Sequence, residues 1–295
     1  MQTVSTEVKS RIIATLHQQR KNFEGSDAKY AVSLGIHKSQ LAQLKAGKTD
    51  RLLSDAKWIS MARRLGVQIG NEPSWQIAKT PVYEMISAQL HHCQSEGTNG
   101  IFCDRSDIGK TVAAKDYVRT HANAVYVDCS LVKTRQKLIR YITKEFGVEH
   151  QGKYNDVFED LVYYLKAVTT PLIILDEAGD LDYPAFLELK ALWNATENYA
   201  GWYMIGADGL AAKMDKGIAN RKVGFTEIFT RYGARYQRAV PDGTELKTQF
   251  INHQAALIIK ANHPAADVDT LVRKTGGSLR RVRTEVLKLK RTSLN

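Results

Sequence analysis

Apolar and polar positions change rhythm twice along this chain. In the first 70 residues the apolar side chains fall at helical spacing. Val8, Ile12, Ile13 and Leu16 form one stripe, Ile36, Leu41 and Leu44 a second, and Trp58, Met61 and Leu65 a third. A turn-rich break follows at Gly70-Asn71-Glu72-Pro73-Ser74, and a helix is predicted from Val82 to about Cys93. The pattern then alternates. Short apolar runs at Ile101–Cys103, Ala124–Val127, Pro171–Leu175 and Trp202–Ile205 read as strands, separated by the amphipathic segments Leu131–Phe146 and Val157–Lys166 and a helical region from Asp180 to Tyr199. Such alternation predicts a parallel, doubly wound sheet. From Thr244 onward the spacing is helical again. The expected architecture is an all-α domain over 1–70, a linker over 71–80, an α/β core over 81–240 and a helical lid over 241–295.

Two strand ends carry recognisable chemistry. The first runs Ile101-Phe102-Cys103 into Asp104-Arg105-Ser106-Asp107-Ile108-Gly109-Lys110-Thr111 and then a helix. A loop between a strand and a helix N-terminus, ending in Gly-Lys-Thr, is a phosphate cradle: backbone N–H groups face the anion, Lys110 supplies charge and Thr111 ligates magnesium. Asp107, Ile108 and Gly109 complete the expected ATP-binding stretch. The pattern is degenerate, because Asp104 stands where glycine is usual, and Asp104 and Asp107 bring negative charge towards a polyanion. The second strand, Pro171–Leu175, ends in Asp176-Glu177. That is a Walker B pattern, in which Asp176 holds Mg2+ and Glu177 polarises the attacking water. Either stretch alone is also explained as ordinary first-turn residues of a helix. The two in this order, some 65 residues apart, point to a P-loop nucleotide-binding domain with ATP and Mg2+ as cofactors.

Charge adds a second partner. The formal net charge is +11. Residues 1–70 hold twelve Lys and Arg against five Asp and Glu, and residues 273–295 hold eight against one, so the middle is slightly acidic. Basic ends suggest nucleic acid. No apolar run reaches membrane-spanning length, and the three cysteines have no close pairing, which together fit a reducing cytoplasm and no membrane partner.

The basic N-terminal region has a more specific pattern. Ala31, Gly35 four positions later and Leu41 six positions after that are the small, turn-forming and core positions of two crossing helices. The segment resembles the phage-repressor family of helix-turn-helix domains. That resemblance implies that Lys38, Ser39, Gln40 and Gln43 face DNA, with Lys45 and Lys48 near phosphates. A helical bundle for protein contact is the competing reading.

The core resembles the AAA+ class. There the strand Trp202-Tyr203-Met204-Ile205-Gly206 would end in a polar sensor 1 residue; position 207 is alanine, and either Asp208 substitutes or the function is reduced. The class also implies an arginine finger in Phe225–Arg235, with Arg231 the first choice and Arg235 the second, and a sensor 2 arginine at Arg280 in Gly277-Ser278-Leu279-Arg280. Trp75, Ile77 or Val82 would pack on adenine. Over nearly its full length, the order of these features resembles the phage Mu transposition protein B family of AAA+ ATPases. The resemblance implies an ATP-dependent, largely non-specific duplex DNA-binding ATPase. It would assemble as a homo-oligomer or helical filament on target DNA and recruit and stimulate a DNA transposase, hydrolysing ATP slowly if the altered loop and sensor matter. A helicase-loading or replication-initiation ATPase, or a non-hydrolysing DNA-binding regulator, are the alternatives.

Overall fold

The computed structural model describes residues 4–23, 25–69 and 75–292; the break at Gly70–Ser74 lies outside them. The chain divides into two compact units, Met1–Glu72 and Pro73–Asn295.

In the first unit the described residues form α1 (Thr6–Lys21), α2 (Asp27–Leu34), α3 (Lys38–Lys45) and α4 (Asp55–Leu65). Serines start three of them. Ser5, Ser26 and Ser54 accept hydrogen bonds from the N–H groups of Val8, Lys29 and Lys57, satisfying donors that a helix start leaves open. Gly35 ends α2 in the left-handed region at φ 73°, which turns the chain directly into α3. The predicted stripes converge on one core: Ile12, Leu16, Ala31, Leu41, Leu44, Trp58 and Met61 are all fully buried.

The second unit opens with α5 (Pro81–Glu96), which has Thr80 as its cap and proline in its first turn. There follow β1 (Asn99–Cys103), α6 (Lys110–Thr120), β2 (Ala124–Asp128), α7 (Arg135–Glu145), α8 (Tyr154–Ala167) and β3 (Leu172–Asp176). A single turn of 3-10 helix at Ala178–Asp180 leads to α9 (Tyr183–Ala195), β4 (Gly201–Gly206), α10 (Asp208–Ala219) and α11 (Phe225–Arg231). The segment expected to form a lid comprises α12 (Thr244–Asn262), α13 (Val268–Thr275) and α14 (Leu279–Thr292). The amphipathic segment predicted from Leu131 starts later than expected: Leu131 lies in a turn, 71% exposed, and the helix begins at Arg135.

The four strands are parallel in the order β1-β4-β3-β2. Gln237 adds a short parallel bridge outside β1, exchanging backbone hydrogen bonds with Cys103 and Ile101. Both faces of the sheet are covered, which explains why the strands read as unbroken apolar runs. Ile173, Leu175, Trp202 and Met204 pack towards the helices α7 to α11, while Leu172, Ile174, Tyr203 and Ile205 pack against α5 and α6. Every residue of β3 and of β4 is buried. The parallel register brings Cys103 level with Gly206 and Asp128 level with Asp176. All four strands therefore deliver their last residues to one edge, where open α/β sheets bind ligands.

Candidate functional site

At that edge Asp104–Gly109 bridges β1 to α6. Asp107 (φ 63°) and Gly109 (φ 95°) adopt left-handed backbone and fold the loop back over the helix start. Helix α6 begins without a side-chain cap, as an anion-binding helix N-terminus should. Lys110 is buried, and its ammonium donates to the backbone oxygens of Asp104 (2.8 Å) and Arg105 (2.6 Å). Burial depresses its pKa, against the opposing pull of Asp104, Asp176 and Glu177.

Thr111 and Asp176, far apart in sequence, meet here. The Thr111 hydroxyl donates to Asp176 Oδ2 at 2.7 Å, and the Tyr126 hydroxyl donates to the same oxygen at 2.8 Å. Asp176 Oδ1 accepts from the Glu177 N–H at 2.9 Å. A hydroxyl and a carboxylate oxygen in contact beside a phosphate loop form the donor set that Mg2+ takes in P-loop sites. Glu177 stands at φ 50°, exposed, beyond the strand end. Desolvation by the surrounding strand ends and the neighbouring Asp176 charge raise its pKa, and Lys110 partly offsets them.

The two aspartates of the loop do not do what their charge suggests. Asp104 is not in the left-handed region where the motif glycine is useful. Its carboxylate is 2% exposed and accepts from the N–H groups of Arg105 (2.7 Å), Ala239 (2.8 Å) and Val240 (2.9 Å). Three donors absorb the charge, and the residue pins the segment leading to the lid. Asp107 turns to the lid itself. Its carboxylate accepts from the Ser278 hydroxyl at 2.6 Å and the Arg280 N–H at 3.1 Å, at the first turn of α14. Arg280 Nε lies 3.8 Å from Asp107, with the side chain 85% exposed, so the expected sensor 2 arginine stands beside the loop.

Other expected residues divide. Asp208 opens α10 and lines a cavity of about 540 Å3 with Asp104, Arg105, Arg238 and the start of α12. Arg231 is not free to reach outward: its guanidinium lies 4.4 Å from the Trp193 ring centre and Nη1 is buried without a hydrogen-bond partner among the described residues. Arg235, beyond the turn at Gly233-Ala234, is exposed. Trp75 packs with the lid cluster, and Asn262 ties the neighbouring Gln76 backbone to α12 through two hydrogen bonds. Val82, in the first turn of α5, faces the core with no exposed surface to offer a base.

In the N-terminal unit Lys38, Ser39, Gln43 and Lys48 are exposed on or just after α3. Gln40 is occupied: its side chain accepts from the His37 N–H and donates to Leu52 O, closing a capping box. Ser39 bonds His37, and Lys45 pairs with Asp27 at 2.9 Å. Tyr126 and Ser278 were not singled out in the sequence; each acts through a partner distant in the chain, Asp176 and Asp107 respectively.

A P-loop joined to an acidic strand end through the order β1-β4-β3-β2, followed by a C-terminal helical segment, is the arrangement of the AAA+ α/β fold. The family model described as AAA domain matches residues 93–214. Among curated proteins the chain is similar to a Mu-like transposition protein B. It is 27% identical over 179 residues to the Mu-like prophage FluMu DNA transposition protein B of Haemophilus influenzae, covering 59% of each chain. The chain thus spans about three-fifths of the length of that curated relative. Among solved structures, the Aeropyrum pernix Orc1 protein in complex with DNA aligns at 16% identity and TM-score 0.45, covering 75% of this chain and 66% of that one. Cdc6p from Pyrobaculum aerophilum aligns at 16% and 0.47, covering 71% and 62%.

Proposed function

We propose that this protein is an ATP-dependent, largely sequence-independent duplex DNA-binding ATPase. It assembles on target DNA as a homo-oligomer and recruits and stimulates a DNA transposase. The observation that carries the reading is the 2.7 Å contact between Thr111 and Asp176, with Lys110 and Glu177 at the same sheet edge. Phosphates would lie on the N–H groups of Asp107–Thr111 and on Lys110. Thr111 and Asp176 would hold Mg2+, which neutralises charge developing on the transferred phosphoryl group. Glu177 orients the attacking water, Asp208 substitutes for the sensor 1 residue missing at Ala207, and Arg280 couples the phosphates to the lid. Arg235 is the better finger for a neighbour's nucleotide, because Arg231 is packed on Trp193.

The similarity to a transposition protein supports the transposase as partner. The exposed Lys38, Gln43 and Lys48 of the N-terminal unit support duplex binding, through phosphates and groove edges. A cytoplasmic setting goes with this reading; no helix among the described residues is long and apolar enough to cross a membrane.

The test is sedimentation with random-sequence duplex DNA, without nucleotide, with ADP and with a slowly hydrolysed ATP analogue. Large complexes are expected with the analogue alone, lost in Lys110→Ala and persistent with ordinary ATP in Glu177→Gln. Binding indifferent to nucleotide would instead favour a regulator that uses only the N-terminal unit.

A further inference from the structure

Two of the donors on the Asp176 carboxylate come from the motifs themselves. The Glu177 N–H holds Oδ1 at 2.9 Å, and the Thr111 hydroxyl holds Oδ2 at 2.7 Å. A further donor, the Tyr126 hydroxyl, lies 2.8 Å from Oδ2 and comes from β2, a strand that neither motif occupies. The register explains how it gets there. Tyr126 is level with Ile174, and Asp128 is level with Asp176. Side chains two positions apart share a face of the sheet. Tyr126 and Asp176 are therefore diagonal neighbours on the side that α6 covers, a span that a tyrosine can bridge. A hydroxyl facing a carboxylate can only donate. The ring is placed independently of that bond: the Lys115 ammonium, one turn beyond Thr111 on α6, sits 4.9 Å from its centre.

Donors fixed on both oxygens keep the buried carboxylate from rotating. The consequence falls on Thr111. Its hydroxyl gives its one proton to Oδ2, so the position of Oδ2 decides where the hydroxyl lone pairs point. We propose that Tyr126 is a positioning residue for the divalent cation, holding Asp176 Oδ2 so that the Thr111 hydroxyl presents its lone pairs to Mg2+. This rests on the nucleotide reading above and adds to it a residue outside both motifs. Tyr126 acts through Asp176, as the hydrogen-bond partners of metal ligands do, by fixing the orientation of a group that meets the ion. The part that matters is the hydroxyl. A phenylalanine would fill the same space beside α6 and keep the contact with Lys115, but would leave Oδ2 with Thr111 as its only donor among the described residues.

The experiment uses the full chain, unaltered and as Tyr126→Phe and Lys110→Ala. Each is titrated with a fluorescent ATP analogue in EDTA, and then with Mg2+ at a fixed analogue concentration. Mn2+ bound in the protein–nucleotide complex is measured separately by electron paramagnetic resonance, a readout that needs no turnover. In Tyr126→Phe the half-saturating Mg2+ concentration and the Mn2+ dissociation constant are expected to rise by about tenfold or more, the usual loss when a metal ligand is deprived of its hydrogen-bond partner. Analogue binding in EDTA should stay within about twofold of the unaltered protein, because the phosphate loop itself is untouched. An unchanged metal requirement would overturn the proposal and leave the nucleotide reading standing. So would equal weakening with and without the metal, which would mean that the hydroxyl only holds the loop together. Absence of Mg2+-stimulated, Lys110-dependent binding in the unaltered protein would overturn both.

Discussion

Restoring the motif glycine by Asp104→Gly separates two views of the phosphate loop. If the aspartate acts mainly as a negative charge near a polyanion, the glycine should tighten triphosphate binding. The structure predicts the reverse. The Asp104 carboxylate is buried and holds the N–H groups of Ala239 and Val240 at 2.8 and 2.9 Å, anchoring the connector that leads into α12. Hydrogen bonds to a charged group contribute about 1.5–3 kcal/mol each, so losing both removes about 3–6 kcal/mol from the anchor, nearer the lower figure where water enters. Glycine adds backbone freedom to the unfolded chain and the released loop. Hydrogen exchange of the 237–243 segment would follow the anchor directly. Urea unfolding would give the stability change, and titration with a fluorescent triphosphate the affinity. Faster exchange, a loss of at least about 2 kcal/mol and weaker nucleotide binding are expected. Asp104→Asn, which keeps one carbonyl acceptor, should fall between. Unfolding unchanged within about 0.5 kcal/mol, or tighter binding in the glycine variant, would refute the reasoning.

Two further outcomes follow from the same geometry. Arg235→Ala should lower turnover of the DNA-assembled protein by at least about a hundredfold with an unchanged melting temperature, whereas Arg231→Ala should lower stability by about 1–2 kcal/mol through the lost contact with Trp193; normal assembled turnover in Arg235→Ala would reject the assignment. Turnover needs an ionised Glu177, whose pKa burial and Asp176 raise above the ordinary 4.5, so activity should fall as pH drops through a midpoint above that value; a pH–rate profile with its acid limb at or below 4.5 would remove Glu177 from the water-polarising role.

The strands and the two strand-end motifs were legible in the sequence because burial on both faces forces unbroken apolar runs such as Leu172–Leu175, and because adjacent residues carry each motif. The N-terminal stripes were legible for the related reason that helical spacing records which face is buried. What escaped depends on distance along the chain. Asp104 looks like a damaged glycine until Ala239 and Val240 appear beside it, and Asp107 looks like a liability until Ser278 and the Arg280 N–H arrive. Gln40 and Lys45 were grouped with Lys38 and Gln43 by position on one helix. Only the fold shows that His37 and Leu52 occupy one and Asp27 the other. The sequence ranks Arg231 ahead of Arg235 because the packing of Arg231 against Trp193 has no local signature.

The Lys110 ammonium rests on two carbonyl oxygens of its own loop. Ligand capture here is therefore an exchange reaction. An incoming anion does not meet a bare cation; it displaces the loop's internal acceptors, Asp104 O and Arg105 O, which must find water or other donors as the lysine turns away. Observed affinity is then the difference between two sets of hydrogen bonds, and anything that weakens the internal set tightens the external one. A main chain that solvates its own cation also fixes the shape of the loop. Each new ligand then meets a cradle whose shape already exists.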